Sequence, residues 1–164
     1  MWSSDRRGTL AALAGALALS ACGFAPIYGS GGPGQTLRGR VAVDAPTSRV
    51  SFELVARLED RLGRADRAIY RLTHNIGLER QGIAVTGANN ISRVRITGRA
   101  DYTLREVASG VQVLAGTVTT FTAYSTTGST LATDTAERDA EDRLMVILAD
   151  RMVDELLSGA ARLT

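Results

Sequence analysis

The sequence predicts an α+β fold: a two-layer sandwich in which about four mainly antiparallel strands carry two helices on one face. Three observations lead to this prediction. Apolar residues recur at three- and four-residue steps in two segments, 49–64 and 135–158. Between them, apolar and polar residues alternate with period two, as in half-buried strands. Glycine-containing turn signals separate the alternating runs, as hairpins require.

The first strand and helix follow from local signals. Residues 41–45 alternate weakly and stop at Pro46, which indicates a short strand. Thr47 or Ser48 is placed to cap the helix that follows. The apolar residues of that helix are Val50, Leu54, Val55, Leu58 and Leu62. Gly63 is expected to loosen its end.

The next strand covers residues 70–79, where apolar and polar side chains alternate. A second run, 82–86, is its candidate continuation after a bend at Gln81-Gly82. His74 falls on the apolar face. Because the chain has no second histidine, a hydrogen-bonded core or edge histidine is favoured over a ligand.

The clearest strand of the chain covers residues 93–105. Its even-numbered residues from Val94 to Leu104 form an apolar face, and the arginines lie on the opposite face. Ser109-Gly110 predicts a hairpin turn into a last strand over 111–124, with a bulge near Gly116 where the alternation is imperfect.

The final element is a long helix over 135–158, whose apolar arc of roughly 220° exceeds what one sheet face needs. By default, the apolar surface beyond that need is expected to contact the first helix. The alternative is that it contacts a partner protein. Asp134 and Glu137 are expected at its positive end. Two four-residue spacings predict ion pairs: Asp139 with Arg143, and Arg151 with Glu155.

The first 21 residues have the layout of a secretory signal. Arg6 and Arg7 precede a twelve-residue uncharged run, 8–19, which is too short to span a membrane. Leu19, Ser20, Ala21 and Cys22 resemble the lipobox of bacterial lipoproteins, in which the cysteine becomes the lipidated first residue. We therefore predict lipidation of Cys22 by an N-terminal diacylglycerol and fatty acyl group. Two or more acyl chains anchor a protein firmly in a membrane.

The segment after Cys22 is predicted to be a flexible tether over residues 22–37, ahead of a domain over 38–164. Residues 23–37 contain five glycines and two prolines, so neither a helix nor a central strand is expected there. A tether of this length spans roughly 20 Å. Phe24, Ile27 and Tyr28 are assigned either to the headgroup layer or to a partner.

Composition excludes several classes of function. The 143 residues that remain without the signal carry 17 arginines and 16 acids, so nothing favours nucleic-acid binding. The single His74 leaves no catalytic triad, and no Gly-x-Ser-x-Gly elbow occurs. The chain has no Cys/His cluster for a metal and no phosphate loop. We expect neither an enzyme nor a cofactor-binding protein.

As a set, these segments resemble the lipopolysaccharide-assembly lipoprotein family LptE, in its alphaproteobacterial form. The resemblance lies in Cys22–Gly29, Phe52–Leu62, Thr119–Tyr124, Ala132-Thr133, Ala136–Ala140 and Leu148–Asp150. It implies a non-catalytic outer-membrane lipoprotein on the periplasmic side. Such a protein sits inside an LptD-type β-barrel, assists its assembly and helps lipopolysaccharide reach the cell surface. Gly23 is compatible with outer-membrane sorting.

Four arginines on the polar face of the clearest strand are candidates for lipopolysaccharide binding, because guanidinium groups bind phosphates and carboxylates bidentately. They are Arg93, Arg95, Arg99 and Arg105. The alternative is a solvated strand face with Asp101 as an internal counter-charge. Two other functions also remain open: an auxiliary lipoprotein of a lipid-exporting ABC transport system, and a structural envelope lipoprotein.

Overall fold

The computed structural model describes residues 33–85, 91–126 and 129–160, which form one sheet and three helices. The elements in chain order are α1 (Pro33–Leu37), β1 (Val41–Val43), α2 (Arg49–Leu62), β2 (Tyr70–Val85), β3 (Ile91–Glu106), β4 (Gln112–Ser125) and α3 (Thr130–Ala160). The strands lie in the order β1-β2-β3-β4, with β1 parallel to β2 and the other neighbours antiparallel. The predicted α+β architecture is confirmed.

The core lies between the sheet and the two long helices. The even-numbered residues of β3 from Ile96 to Leu104 are buried under α3, and Leu144 and Leu148 of α3 are fully buried. Leu54 and Leu58 of α2 belong to the same cluster. The excess apolar arc of α3 therefore contacts α2, as the default assignment predicted.

β2 continues through Gly82 with small register shifts after that residue, which confirms the candidate continuation. The bulge predicted near Gly116 is wrong. Gly116 pairs in regular register with Tyr102, and the irregularity falls where β4 passes from Leu114 to Gln112. The glycine serves packing instead, because a Cβ at this position would lie 2.5 Å from the Tyr102 hydroxyl.

The helix starts are set by serine caps. Ser48 caps α2, where its Oγ accepts from the backbone N–H of Ser51 at 3.1 Å in a reciprocal capping box. Ser129 precedes α3, where its Oγ accepts from the N–H of Ala132 at 3.3 Å. Because α3 starts at Thr130, Asp134 and Glu137 lie beyond its first turn, and their predicted place at the helix terminus is wrong.

The prediction that residues 23–37 contain no helix is wrong for the last five residues of that segment, 33–37. α1 begins at Pro33, and proline is suited to the first helical position because its φ is already fixed. Leu37 then reaches the core with 1% of its surface exposed. The signal, Cys22 and residues 23–32 lie outside the described residues.

Ion pairs tie α2 to α3. Asp150 accepts from Arg57 Nε at 2.9 Å and from Arg61 Nη1 at 2.7 Å. The predicted pair of Asp139 with Arg143 is confirmed.

The predicted pair of Arg151 with Glu155 is wrong, because each residue has a partner on the sheet. Arg151 Nη1 donates to the Thr119 carbonyl at 2.8 Å, and the Tyr102 hydroxyl donates to Glu155 at 2.7 Å.

β4 lies at the edge of the sheet, where its outer side pairs with no other described strand. None of its 14 residues is charged, and none is proline.

Candidate functional site

One face of the sheet is left open by the described elements. α2 and α3 cover the face that holds the even-numbered residues of β3, so the odd-numbered residues face outwards. Arg93, Arg99 and Arg105 are exposed, and Arg95 is half-buried. The structure therefore brings the four predicted arginines to one surface, as their alternation indicated.

The open face is positively charged. Its three long strands contribute five arginines and two carboxylates: Arg71, Arg93, Arg95, Arg99, Arg105, Glu79 and Asp101. Sequence reasoning missed Arg71. This residue joins the set because β2 pairs with β3 in a register that sets Arg71 opposite Arg105. No local pattern in the sequence reveals that register.

Arg99 is neutralised within the face. Its guanidinium donates to both carboxylate oxygens of Asp101, at 2.7 and 3.2 Å, and to the Thr117 hydroxyl at 3.1 Å. The hydrogen bond from Arg99, followed by that from Thr117, holds the pKa of Asp101 below its ordinary value. Asp101 is thus the internal counter-charge that the sequence analysis gave as the alternative. Because Arg99 is already paired with it, Arg99 has little attraction left for an anionic ligand.

Arg95 has a different environment. Its guanidinium carbon lies 4.9 Å from the centre of the Phe121 ring, a cation–π distance. Its Nε is buried and has no hydrogen-bond partner among the described residues. The ring holds the guanidinium in place, and no carboxylate in the described chain pairs with it.

Arg93 and Arg105 flank this centre on the same strand. Arg105 donates to the carbonyl of Gly110 at 3.3 Å, within the hairpin turn. The Arg93 side chain is exposed and forms no hydrogen bond or ion pair with the residues that the structure describes. Arg93 and Arg95 are two residues apart on one face, about 7 Å by strand geometry. They form the part of the face that is free to bind an anion.

His74 is not part of this face. It is half-buried on the opposite side of β2, beside a cleft of about 280 Å³ lined by Asp44, Ser48 and Ser51. The predicted hydrogen bond is missing at one nitrogen, since Nδ1 is buried without a partner among the residues that the structure describes. Burial lowers the pKa of His74 below its ordinary value.

Within the described residues, no group of three or more His, Cys, Asp or Glu side chains is placed to hold a metal ion. In the same part of the chain, no helix has the length and apolar character needed to cross a membrane. Leu19, Ser20, Ala21 and Cys22 lie outside the described residues, so their predicted role stays a prediction.

The fold, an open four-stranded sheet with helices on one face, is that of a class of bacterial lipoprotein domains. A protein described as a lipoprotein of Caulobacter crescentus matches with a TM-score of 0.67 at 21% identity, covering 81% of this chain and 98% of that one. Rare lipoprotein B of Shewanella oneidensis matches with a TM-score of 0.60 at 13% identity, covering 76% and 96%. A minor lipoprotein of Acinetobacter baumannii matches with a TM-score of 0.55 at 13% identity, covering 73% and 89%.

Comparison with curated protein sequences gave no match. The model of the family LptE, described as lipopolysaccharide-assembly, matches residues 38–156. The chain therefore belongs to the LptE family. The matched segment contains the whole sheet, α2 and most of α3.

Proposed function

We propose that this protein is a non-catalytic outer-membrane lipoprotein, anchored through acylated Cys22 on the periplasmic side. It acts with an LptD-type β-barrel in the assembly and transport of lipopolysaccharide. The observation that supports this proposal most directly is the family match over residues 38–156. The predicted signal and lipobox supply the anchor, and the open face supplies a surface for an acidic ligand.

Arg93 and Arg95 are the proposed lipopolysaccharide contacts. Lipopolysaccharide presents phosphates or acidic sugars, which guanidinium groups bind as bidentate partners. A ligand gains most from cations without an internal counter-charge, because it then displaces no existing ion pair. Arg93 and Arg95 meet this condition, whereas Arg99 is held by Asp101.

A binding assay with purified protein and lipopolysaccharide tests this assignment. The double variant Arg93→Ala/Arg95→Ala is expected to weaken binding by at least about tenfold, since each charge-assisted contact contributes about 1.5–3 kcal/mol. Arg99→Ala/Asp101→Ala, which removes a neutral ion pair from the same strand, is the matched control and is expected to change binding less than about threefold. Both variants should keep the thermal stability of the parent. Unchanged binding by the double variant would remove the proposed contacts.

Crosslinking in intact membranes tests the partner. A photoreactive residue at position 147, on α3, is expected to capture a large outer-membrane β-barrel protein. Capture of an inner-membrane transporter subunit instead would favour the auxiliary lipoprotein of a lipid-exporting ABC system. Replacement of Cys22 by Ser should abolish acylation, which mass spectrometry of the N-terminus detects.

A further inference from the structure

Three apolar side chains are exposed together at one end of the domain. Ile69, Val107 and Val111 are 41%, 52% and 59% exposed. They come from two separate connections, the one between α2 and β2 and the hairpin turn between β3 and β4. A cluster of large exposed apolar residues on a small domain indicates an interaction surface.

Backbone hydrogen bonds join these residues into one band. The Arg40 carbonyl accepts from the N–H of Ile69 at 2.8 Å, and the Ile69 carbonyl accepts from the N–H of Val107 at 2.8 Å. The N–H of Glu106 donates to the Val111 carbonyl at 2.9 Å. We call this band, formed by Arg40, Ile69, Val107 and Val111, the tether end.

The segments that form the tether end are rich in arginine. The segments that meet there, 38–40, 64–69 and 105–111, hold five arginines and two carboxylates. Arg38, Arg40 and Arg67 are exposed and have no hydrogen-bonding or ionic partner for their side chains among the described residues. Apolar side chains within a rim of guanidinium groups match the boundary between acyl chains and anionic headgroups of a bilayer.

The position of the tether end in the chain also indicates a membrane surface. Pro33, where α1 begins, is only 11 residues after Cys22, so even a fully extended segment reaches at most about 40 Å. α1 leads directly into Arg40, and the backbone of Gly39 is bonded to the end of α2. The far end of the sheet lies about 45 Å away along the 14 residues of β4.

We propose that the tether end seats on the surface of the membrane that holds the lipid anchor, with Ile69, Val107 and Val111 in the headgroup layer and the arginines on anionic headgroups. The orientation rests on the proposed acylation of Cys22. The affinity of the surface itself does not, because the apolar residues and the arginines belong to the folded domain. The tether end thus acts as a second membrane contact beside the acyl chains.

The test uses residues 22–164 with Cys22→Ser, so that neither the signal nor an acyl chain binds lipid. The core cluster of the described residues runs from Leu37 to Ala160, within this length. The chain contains no tryptophan after Trp2, so Val111→Trp introduces a single reporter. Vesicles of phosphatidylethanolamine with phosphatidylglycerol are expected to shift its emission to shorter wavelength. The control Leu131→Trp, at an exposed site beyond the far end of β4, should show no shift.

Vesicle co-sedimentation completes the test. Val107→Asp/Val111→Asp is expected to lower binding by at least about tenfold, because it removes buried apolar surface and adds negative charge near anionic lipid. Arg40→Gln/Arg67→Gln should lower binding to anionic vesicles but not the weaker binding to phosphatidylcholine vesicles. Leu131→Asp and Arg138→Gln are the matched controls.

Two results would overturn the inference: no emission shift for Val111→Trp, or equal losses for the aspartate variants at the tether end and at Leu131. A patch that docks on protein would give the first result. Because these vesicles contain no lipopolysaccharide and no barrel, neither result bears on the proposed function.

Discussion

Gly116 is the position where the structure predicts most directly how one added methyl group changes the free energy of unfolding. It lies on β4 directly opposite Tyr102 of β3, and the tyrosine ring lies over it. A Cβ on Gly116 would stand 2.5 Å from the Tyr102 hydroxyl oxygen, 2.7 Å from Cζ and 2.9 Å from a Glu155 carboxylate oxygen. Gly116→Ala therefore has to displace the ring and its 2.7 Å hydrogen bond to Glu155.

The expected magnitude follows from two opposing effects. Alanine is favoured over glycine in a strand by roughly 0.5–1 kcal/mol. Overpacking a buried site costs about 1–3 kcal/mol, and displacing the Tyr102–Glu155 hydrogen bond adds about 1 kcal/mol. The net expectation is a loss of about 1–3 kcal/mol in the free energy of unfolding. Tyr102 is 6% exposed, so its ring has little room to move.

Gly77 provides the matched control on the same sheet. No heavy atom lies within 4 Å of a Cβ built on Gly77, so Gly77→Ala is expected to raise stability by about 0.5–1 kcal/mol. Urea unfolding curves of the two variants measure the difference directly. Tyr102→Phe removes the hydroxyl oxygen that would lie 2.5 Å from the added Cβ. It should therefore recover part of the stability lost in Gly116→Ala. Equal stability of Gly116→Ala and Gly77→Ala would refute the packing argument.

Three further predictions concern the helices and β2. Asp150→Ala should lower the free energy of unfolding by about 1 kcal/mol, because Arg57 and Arg61 both lose their shared partner between the helices. Ser48→Ala should cost about 1 kcal/mol through loss of the α2 cap, measured by thermal unfolding. Burial lowers the pKa of His74 below 6.5, so the unfolded state binds the proton more readily. Stability should therefore fall as the pH drops below about 6.5, and His74→Gln should lack this component of the pH profile.

Each of these three predictions has a control variant or a result that would contradict it. Asp60→Ala removes one exposed ion pair on α2 and should cost less than about 0.5 kcal/mol, so an equal effect of both aspartates would contradict the interhelical bridge. Thr47→Ala, one residue before the cap, should leave stability unchanged. A His74→Gln profile identical to that of the parent between pH 5 and 7 would mean that His74 titrates alike in both states.

The elements that the sequence predicted best are those in which one periodicity runs without interruption. β3 alternates over its whole length, so its buried face and the outward direction of Arg93, Arg95, Arg99 and Arg105 were both predicted. α2 combines helical spacing with a serine at the cap position and a glycine after its last turn. The start of α3 was placed five residues late, because Thr130–Thr133 carries no acidic residue to mark a first turn.

What the sequence missed depends on contacts between strands. The added hydrogen bond from Arg99 to the Thr117 hydroxyl requires Thr117 on β4 to lie opposite Asp101, and stacking of Arg95 requires Phe121 to lie across from Thr97. Both follow from register, which periodicity within one strand does not contain. Gly116 was taken for a bulge for the same reason. Its role depends on the size of Tyr102 on the neighbouring strand.

The uncharged edge of β4 has a consequence for how the protein must be handled in the cell. A 14-residue edge strand, paired only with β3 among the described strands and without a charge or a proline, lacks the usual features that stop one sheet from adding to another. On that strand, the Thr119 carbonyl accepts a hydrogen bond from Arg151 at 2.8 Å. Overproduction of the protein is therefore expected to cause self-association through this edge.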